Sequence, residues 1–211
     1  MEADPGAAVH VGFVREIGLD EVRGWMAAQD SAAMLDAMRE LPVAAGDAVF
    51  VPAGVPHAIG AGILMVEVQE PTDLSVLLEW DGFGIAGADE ATLGLGWERA
   101  LGCVELAGRD PQPLLGPRPS APVAALLPRQ ADAFFRAERI ASTPAAELAQ
   151  GFAIAIVLDG AGTLITEEGG AIALQRGAAV LIPWAAGAGR VEGEVAAIVC
   201  RPPGDEREVR E

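Results

Sequence analysis

Histidine is nearly absent from this chain, with only His10 and His57 in 211 residues. That scarcity argues against a mononuclear iron or manganese centre built on clustered histidines, and against a Ser-His-Asp triad. No Gly-x-Ser-x-Gly elbow, P-loop or Gly-x-Gly-x-x-Gly segment is present to suggest otherwise. Cysteine is equally scarce. Cys103 and Cys200 are too few and too far apart for a disulfide framework or a thiolate zinc site, and read as small buried hydrophobes. No apolar run approaches the roughly 20 residues that span a bilayer. The opening "MEADPGAAVH" lacks the basic-then-apolar layout of a secretion signal. These absences lead us to expect a soluble, cytoplasmic protein. Positive charge is short as well. Fourteen basic residues stand against 31 acidic ones, for a net charge of −17. Such a field repels nucleic acid and anionic membrane, so neither is an expected partner. A phosphorylated substrate would need local positive charge at its site.

The chain does have abundant glycine (26) and proline (15), spread as punctuation between short runs of Val, Ile and Leu. This is the pattern of an all-β protein with many turns. "DAVFVP" (47–52), "GILMVEVQ" (62–69) and "LSVLLEW" (74–80) read as strands. Between residues 19 and 41, two apolar stripes, Leu19/Val22/Trp25/Met26 and Met34/Leu35/Met38/Leu41, predict two short helices with Asp20 and Ser31 as N-caps. A third helix is expected near 91–102. The Pro-rich stretch 108–122 breaks all periodicity and reads as a linker or crossing loop. Beyond it, "AFFRAERI" (133–140) alternates, and 152–184 holds about four strands, with Asp159-Gly160 and Gly169-Gly170 at the hairpin turns. The tail 201–211 lacks apolar periodicity and reads as a solvated end.

The two halves echo each other. "LPVAAGDAVFVPAGVPHAIGAG" (41–62) aligns with "IALQRGAAVLIPWAAGAGRVEG" (172–193), and only the first copy carries a histidine. A repeated β unit implies two similar barrels in tandem. Within the first copy, Gly46, Pro52, Gly54 and His57 have the spacing of a cupin motif. There the proline ends one strand, the glycine turns the chain and the histidine opens the next strand. An imidazole held on a rigid strand suits a divalent transition metal.

The segment 11–80, with its helical stretch, "HAIGAG", Glu67-x-Gln69 and Thr72-Asp73, resembles the class I mannose-6-phosphate isomerases. "FFRAERI" and "RGAAVLIPW" resemble the second cupin of the same family. The resemblance implies an all-β fold of tandem cupin (jelly-roll-like) barrels with a small helical insertion. It also implies a zinc cofactor, a small-molecule sugar phosphate as partner, and isomerisation of mannose 6-phosphate to fructose 6-phosphate. In such an enzyme the metal orients sugar oxygens and stabilises an enediolate while a base moves the proton between C1 and C2. His57 would be the last metal ligand, and Glu67 the candidate catalytic carboxylate. For Gln69 and Asp73, strand-end hydrogen bonding is the preferred role.

Three departures qualify that expectation. The family's other ligands, a Gln, a His and a Glu, come from segments upstream of the region this chain resembles, and one donor cannot hold zinc. The arginine expected after the Thr-Asp pair is Leu77. The acidic surface supplies no replacement field, which leaves Arg99, Arg136 and Arg139 as the candidate positive groups. His10 alternates with Val9 and Val11 and reads as a partly exposed strand histidine rather than a second ligand. The expected organisation is a first cupin over 1–107, incomplete at its N-terminus and carrying a helical insert at about 19–41. A linker (108–122), a histidine-free second cupin (123–202) and a flexible tail (203–211) follow. An opened barrel leaves unpaired strand edges, so homodimerisation through such an edge, its replacement by the N-terminal segment, or poor solubility is expected. The rival reading is a non-catalytic cupin that binds sugar or a partner.

Overall fold

The computed structural model describes residues 2–70, 75–118 and 120–204. They form two compact units. The first comprises Met1–Gly46, Val51–Val66 and Pro71–Leu114, and the second comprises Asp47–Phe50, Glu67–Glu70 and Leu115–Glu211.

In the first unit, β1 (Glu2–Ala3) is followed at Gly6 by a turn into β2 (Ala8–Phe13). Helices α1 (Leu19–Ala28) and α2 (Ser31–Asp36) lead to β3 (Met38–Pro42). After the Pro52 turn come β4 (His57–Ile59) and β5 (Ile63–Leu64). Strands order as β3-β2-β4, with β1 paired to β5, all antiparallel. The helices bury Val22, Met26 and Met34 against Phe13, Leu101 and the Trp80–Trp97 stack. The caps differ from expectation. Gly18 caps α1, leaving Asp20 in the first turn, where its charge suits the helix dipole. Asp30 caps α2 because its carboxylate accepts from the Ala33 N–H at 3.0 Å, so Ser31 is already helical.

Neither of two expected strands, 47–52 and 74–80, forms as such. Leu74 lies outside the described residues. Leu78 and Trp80 instead pack on the helical core, and a side chain satisfies their backbone. Gln29 donates to the Met26 and Leu78 carbonyls and accepts from the Trp80 and Asp81 N–H groups. The expected helix at 91–102 breaks into α3 (Ala88–Ala91) and α4 (Trp97–Leu101), because Leu93, Gly94 and Gly96 between them all take left-handed backbone. The third expected strand, 62–69, shrinks to β5.

The second unit is a jelly roll whose seven strands join in one hydrogen-bonded sheet. Its strands are β6 (Val123–Ala125), β7 (Arg136–Ser142), β8 (Ala145–Leu148), β9 (Ala153–Thr166), β10 (Gly170–Gln175), β11 (Ala179–Ile182) and β12 (Gly189–Arg201). β9 pairs β11 through its first half and β10 through its second, while its other edge pairs β12 throughout. β12 in turn pairs β8 and then β7. The two long strands therefore pair along most of their length and bend at a bulge, where Ala196 opposes Asp159 but Ala197 opposes Val157. Gly160 sits at this bend with φ +80°. The expected hairpin turn at Asp159-Gly160 is thus a corner inside one strand, and the 152–184 segment holds three strands rather than four. The Gly169-Gly170 turn forms where expected, between β9 and β10. The interior is hydrocarbon, with Ala153, Ala155 and Val157 of β9 facing Val195, Ala197 and Val199 of β12. Arg201, expected in the solvated tail, is instead a buried end of β12. Residues 205–211 lie outside the described residues.

The segment 47–50 carries its apolar side chains to the second unit. Val49 bridges Leu115, the Gly116 N–H donates to Ala48 O at 2.8 Å, and Phe50 stacks on Phe134 at 5.8 Å. A Cβ on Gly116 would fall 1.7 Å from Leu126 O, so only glycine allows this crossing.

Candidate functional site

The loop before His57 is held from both sides. The Val55 N–H donates to Pro52 O, and Gly54 takes φ +81° at the position where a type II turn requires a left-handed residue. A Cβ at Gly54 would lie 2.5 Å from Cys103 O, and the Glu105 N–H donates to Gly54 O at 2.8 Å, so the turn is pressed against the chain after α4. The Gly12 N–H then donates to Pro56 O, and the chain enters β4 beside β2.

His57 opens that strand with an exposed side chain. Its Nδ1 lies 3.0 Å from Val55 O. A carbonyl only accepts, so a neutral ring must carry its hydrogen on Nδ1, which leaves Nε2 as a free lone pair. This arrangement orients a histidine as a metal ligand or a proton acceptor.

His10 is the other histidine of that sheet. His10 pairs with Ala58 while His57 pairs with Val11, so the two histidines point to opposite faces of one sheet. His10 is partly exposed, as expected, although its Nδ1 is buried without a partner. Glu67, Gln69 and Glu70 are exposed and belong to the second unit. Asp73 lies outside the described residues. Leu77 has 38% of its surface exposed, and its N–H donates to Ala91 O. No three His, Cys, Asp or Glu side chains come together as a metal-holding group among the described residues. Zinc therefore does not fit the described residues: they offer one oriented nitrogen, and a protein zinc site needs at least three ligands.

Several of the arginines are committed to ion pairs. All fourteen basic residues are arginine. In the first unit Arg15 pairs with Glu21, Arg23 with Asp20 and Glu98, and Arg109 with Glu105 at 2.6 Å. The Arg15 hydrogen bond lowers the Glu21 carboxyl from its ordinary range. Arg99 is exposed in the last turn of α4. Arg136 donates to Pro202 O. Arg139 opposes Ile198 on the face of β7 away from the core residue Ile140.

Sequence reasoning missed one feature of the second unit. Arg201, with 5% of its side chain exposed, donates to Glu138 at 2.8 Å and to Ala149 O, tying the barrel end shut. A charge closing the apolar run 195–200 was the only signal. The histidine-free character of this unit holds at the level of register. With β3 and β10 matched, Val9 answers to Leu164 and Val11 to Thr166, which opposes Gly189. Gly189 is therefore the counterpart of His57. Cys103 departs from expectation. It is exposed, whereas Cys200 is half-buried and burial pushes its thiol pKa up.

No family model matches the chain. A mannose-6-phosphate isomerase of Streptococcus mutans is 38% identical over 73 residues, 35% of this chain and 22% of that protein. Structural likeness extends further. A protein of Archaeoglobus fulgidus assigned as a mannosephosphate isomerase superposes with a TM-score of 0.67 at 15% identity, over 94% of this chain. The mannose 6-phosphate isomerase of Bacillus subtilis gives 0.60 at 17%, over 95%. This chain has the cupin fold of these isomerases and resembles them in sequence over that stretch. It spans 58% and 62% of the lengths of those two structures. No helix among its described residues is long and apolar enough to cross a membrane.

Proposed function

We propose that this mannose-6-phosphate isomerase-like chain serves aldose–ketose isomerisation of a hexose 6-phosphate, mannose 6-phosphate to fructose 6-phosphate, in cytoplasmic carbohydrate metabolism. The observation that carries the reading is His57: cupin spacing, a strand start, and a ring whose Nδ1–H is tied to Val55 O so that Nε2 is free. The reaction moves a proton between C1 and C2, which needs a base. Glu67 is the carboxylate we assign to that role, and His57 is the nitrogen we assign to a metal. The described residues do not complete such a site, and the chain by itself is expected to be inactive.

A second reading has its own support. Leu77 stands where a positive group would face the substrate, and three of the first unit's arginines are paired with carboxylates. Both favour a non-catalytic cupin that binds a sugar or a partner.

The deciding measurement is turnover of mannose 6-phosphate by the purified chain, with and without added zinc. Metal content is measured alongside by elemental mass spectrometry, with His57→Ala as control. Bound metal that disappears in His57→Ala, with or without turnover, supports His57 as ligand. Absence of metal in both proteins, with mannose 6-phosphate binding retained, supports the second reading. Turnover unaffected by His57→Ala overturns the assignment.

A further inference from the structure

We infer that Glu105 and Arg109 are positioning residues for the His57 ring. The carbonyl that fixes this ring is Val55 O, and the carbonyls on either side of it are both tied down. The Glu105 N–H donates to Gly54 O at 2.8 Å, and the Gly12 N–H donates to Pro56 O at 2.8 Å. With planar peptides pinned before and after it, Val55 O cannot swing away from Nδ1.

The segment that follows α4 supplies the first tie and braces the second. Leu106 O accepts from the Ile17 N–H, Gly108 bridges Phe13, and the Arg109 N–H donates to Phe13 O at 2.9 Å. One end of the segment thus rests on the Gly54 turn. The other rests on the end of β2, next to Gly12. Residues 102–111 belong to no helix or strand, so no regular ladder sets the spacing of those two ends.

A side-chain link sets it instead. Arg109 Nε and Nη2 both donate to the Glu105 carboxylate, with three contacts of 3.0, 2.7 and 2.6 Å. Such a charge-assisted fork is directional as well as strong. Its side chains are 30% and 33% exposed, whereas Arg15 and Arg23, which pair with residues of α1 and α4, are 57% and 41% exposed. Arg109 also presses on β2 directly. A Cβ on Gly12 would meet Arg109 Cβ at 3.0 Å and Cδ at 3.3 Å. The pair therefore holds the donors of Gly54 O and Pro56 O in step, and through them the orientation of His57. What His57 does with its free nitrogen rests on the isomerase reading, but its orientation by this clamp does not.

Nitrogen NMR of the imidazoles tests the clamp. Only two histidines are present, so His57 and His10 are read separately and His10 serves as an internal reference. With the rings neutral, wild-type His57 should carry its hydrogen on Nδ1. Glu105→Gln and Arg109→Met both open the fork, and the methionine keeps an apolar stem over Gly12. Each should lower the ratio of Nδ1–H to Nε2–H at His57 by about fivefold, with circular dichroism and His10 unchanged. Arg109→Lys keeps the charge without the fork and should fall between. Arg23→Met removes two ion pairs of the same unit and should leave His57 as it is. A wild-type His57 in the Nε2–H form, or a ratio unmoved in folded Glu105→Gln, overturns the proposal. So does an equal shift in Arg23→Met, or a shift of His10 alongside His57. Neither metal nor sugar enters this readout. A chain without metal or turnover would thus count against the isomerase reading alone, and an unmoved ring against the clamp alone.

Discussion

Gly160 and Gly170 share almost the same backbone angle, φ +80° and +79°, and differ in what surrounds them. A Cβ on Gly170 meets nothing within 4 Å, whereas one on Gly160 would lie 2.0 Å from Glu194 O. Gly170→Ala should therefore cost only the left-handed strain, about 1–2 kcal/mol. Gly160→Ala must also move β9 away from β12, and should cost more than about 3 kcal/mol, read from urea unfolding. The cysteines separate in a similar way. Exposed Cys103 should be alkylated by iodoacetamide well before Cys200, whose buried thiol holds its proton to higher pH. Mass mapping over a time course would show the order. In both comparisons the residue type was plain in the sequence, but its environment was not.

Among the elements, those defined by local chemistry were legible. The two helices before residue 37 form where the apolar stripes begin, although Met38 and Leu41 of the second stripe fall in β3, and the β9–β10 hairpin follows its Gly-Gly turn. Elements that depend on a distant partner were not. "DAVFVP" alternates like a strand, yet its apolar side chains find Leu115 and Phe134 rather than a place in the first unit. "LSVLLEW" is strand-like in composition, but Gln29 satisfies its backbone from 49 to 52 residues away. Gln29→Ala removes four hydrogen bonds at once and should destabilise the chain by about 2–3 kcal/mol, measured by thermal unfolding. Gln29→Glu keeps the acceptor but loses both donors, so it should fall between wild type and Gln29→Ala.

For the whole molecule, charge sets the terms of association. With a net charge of −17, two copies repel at long range. Any self-association of this chain should therefore tighten as sodium chloride is raised from low ionic strength, because screening removes the repulsion. Sedimentation across a salt series checks this, and an association weakened by salt would count against it.

The sequence by itself determined the all-β class, the tandem cupin repeat and the position of His57, because these rest on turn residues and spacing that act over a few neighbours. It also determined that the second repeat has no histidine to offer. Only the tertiary structure decided that His10 and His57 face opposite sides of one sheet, since strand register fixes direction and register depends on pairing. It alone placed Arg201 against Glu138. Those outcomes depend on which segments meet across long stretches of chain, and no local pattern records them.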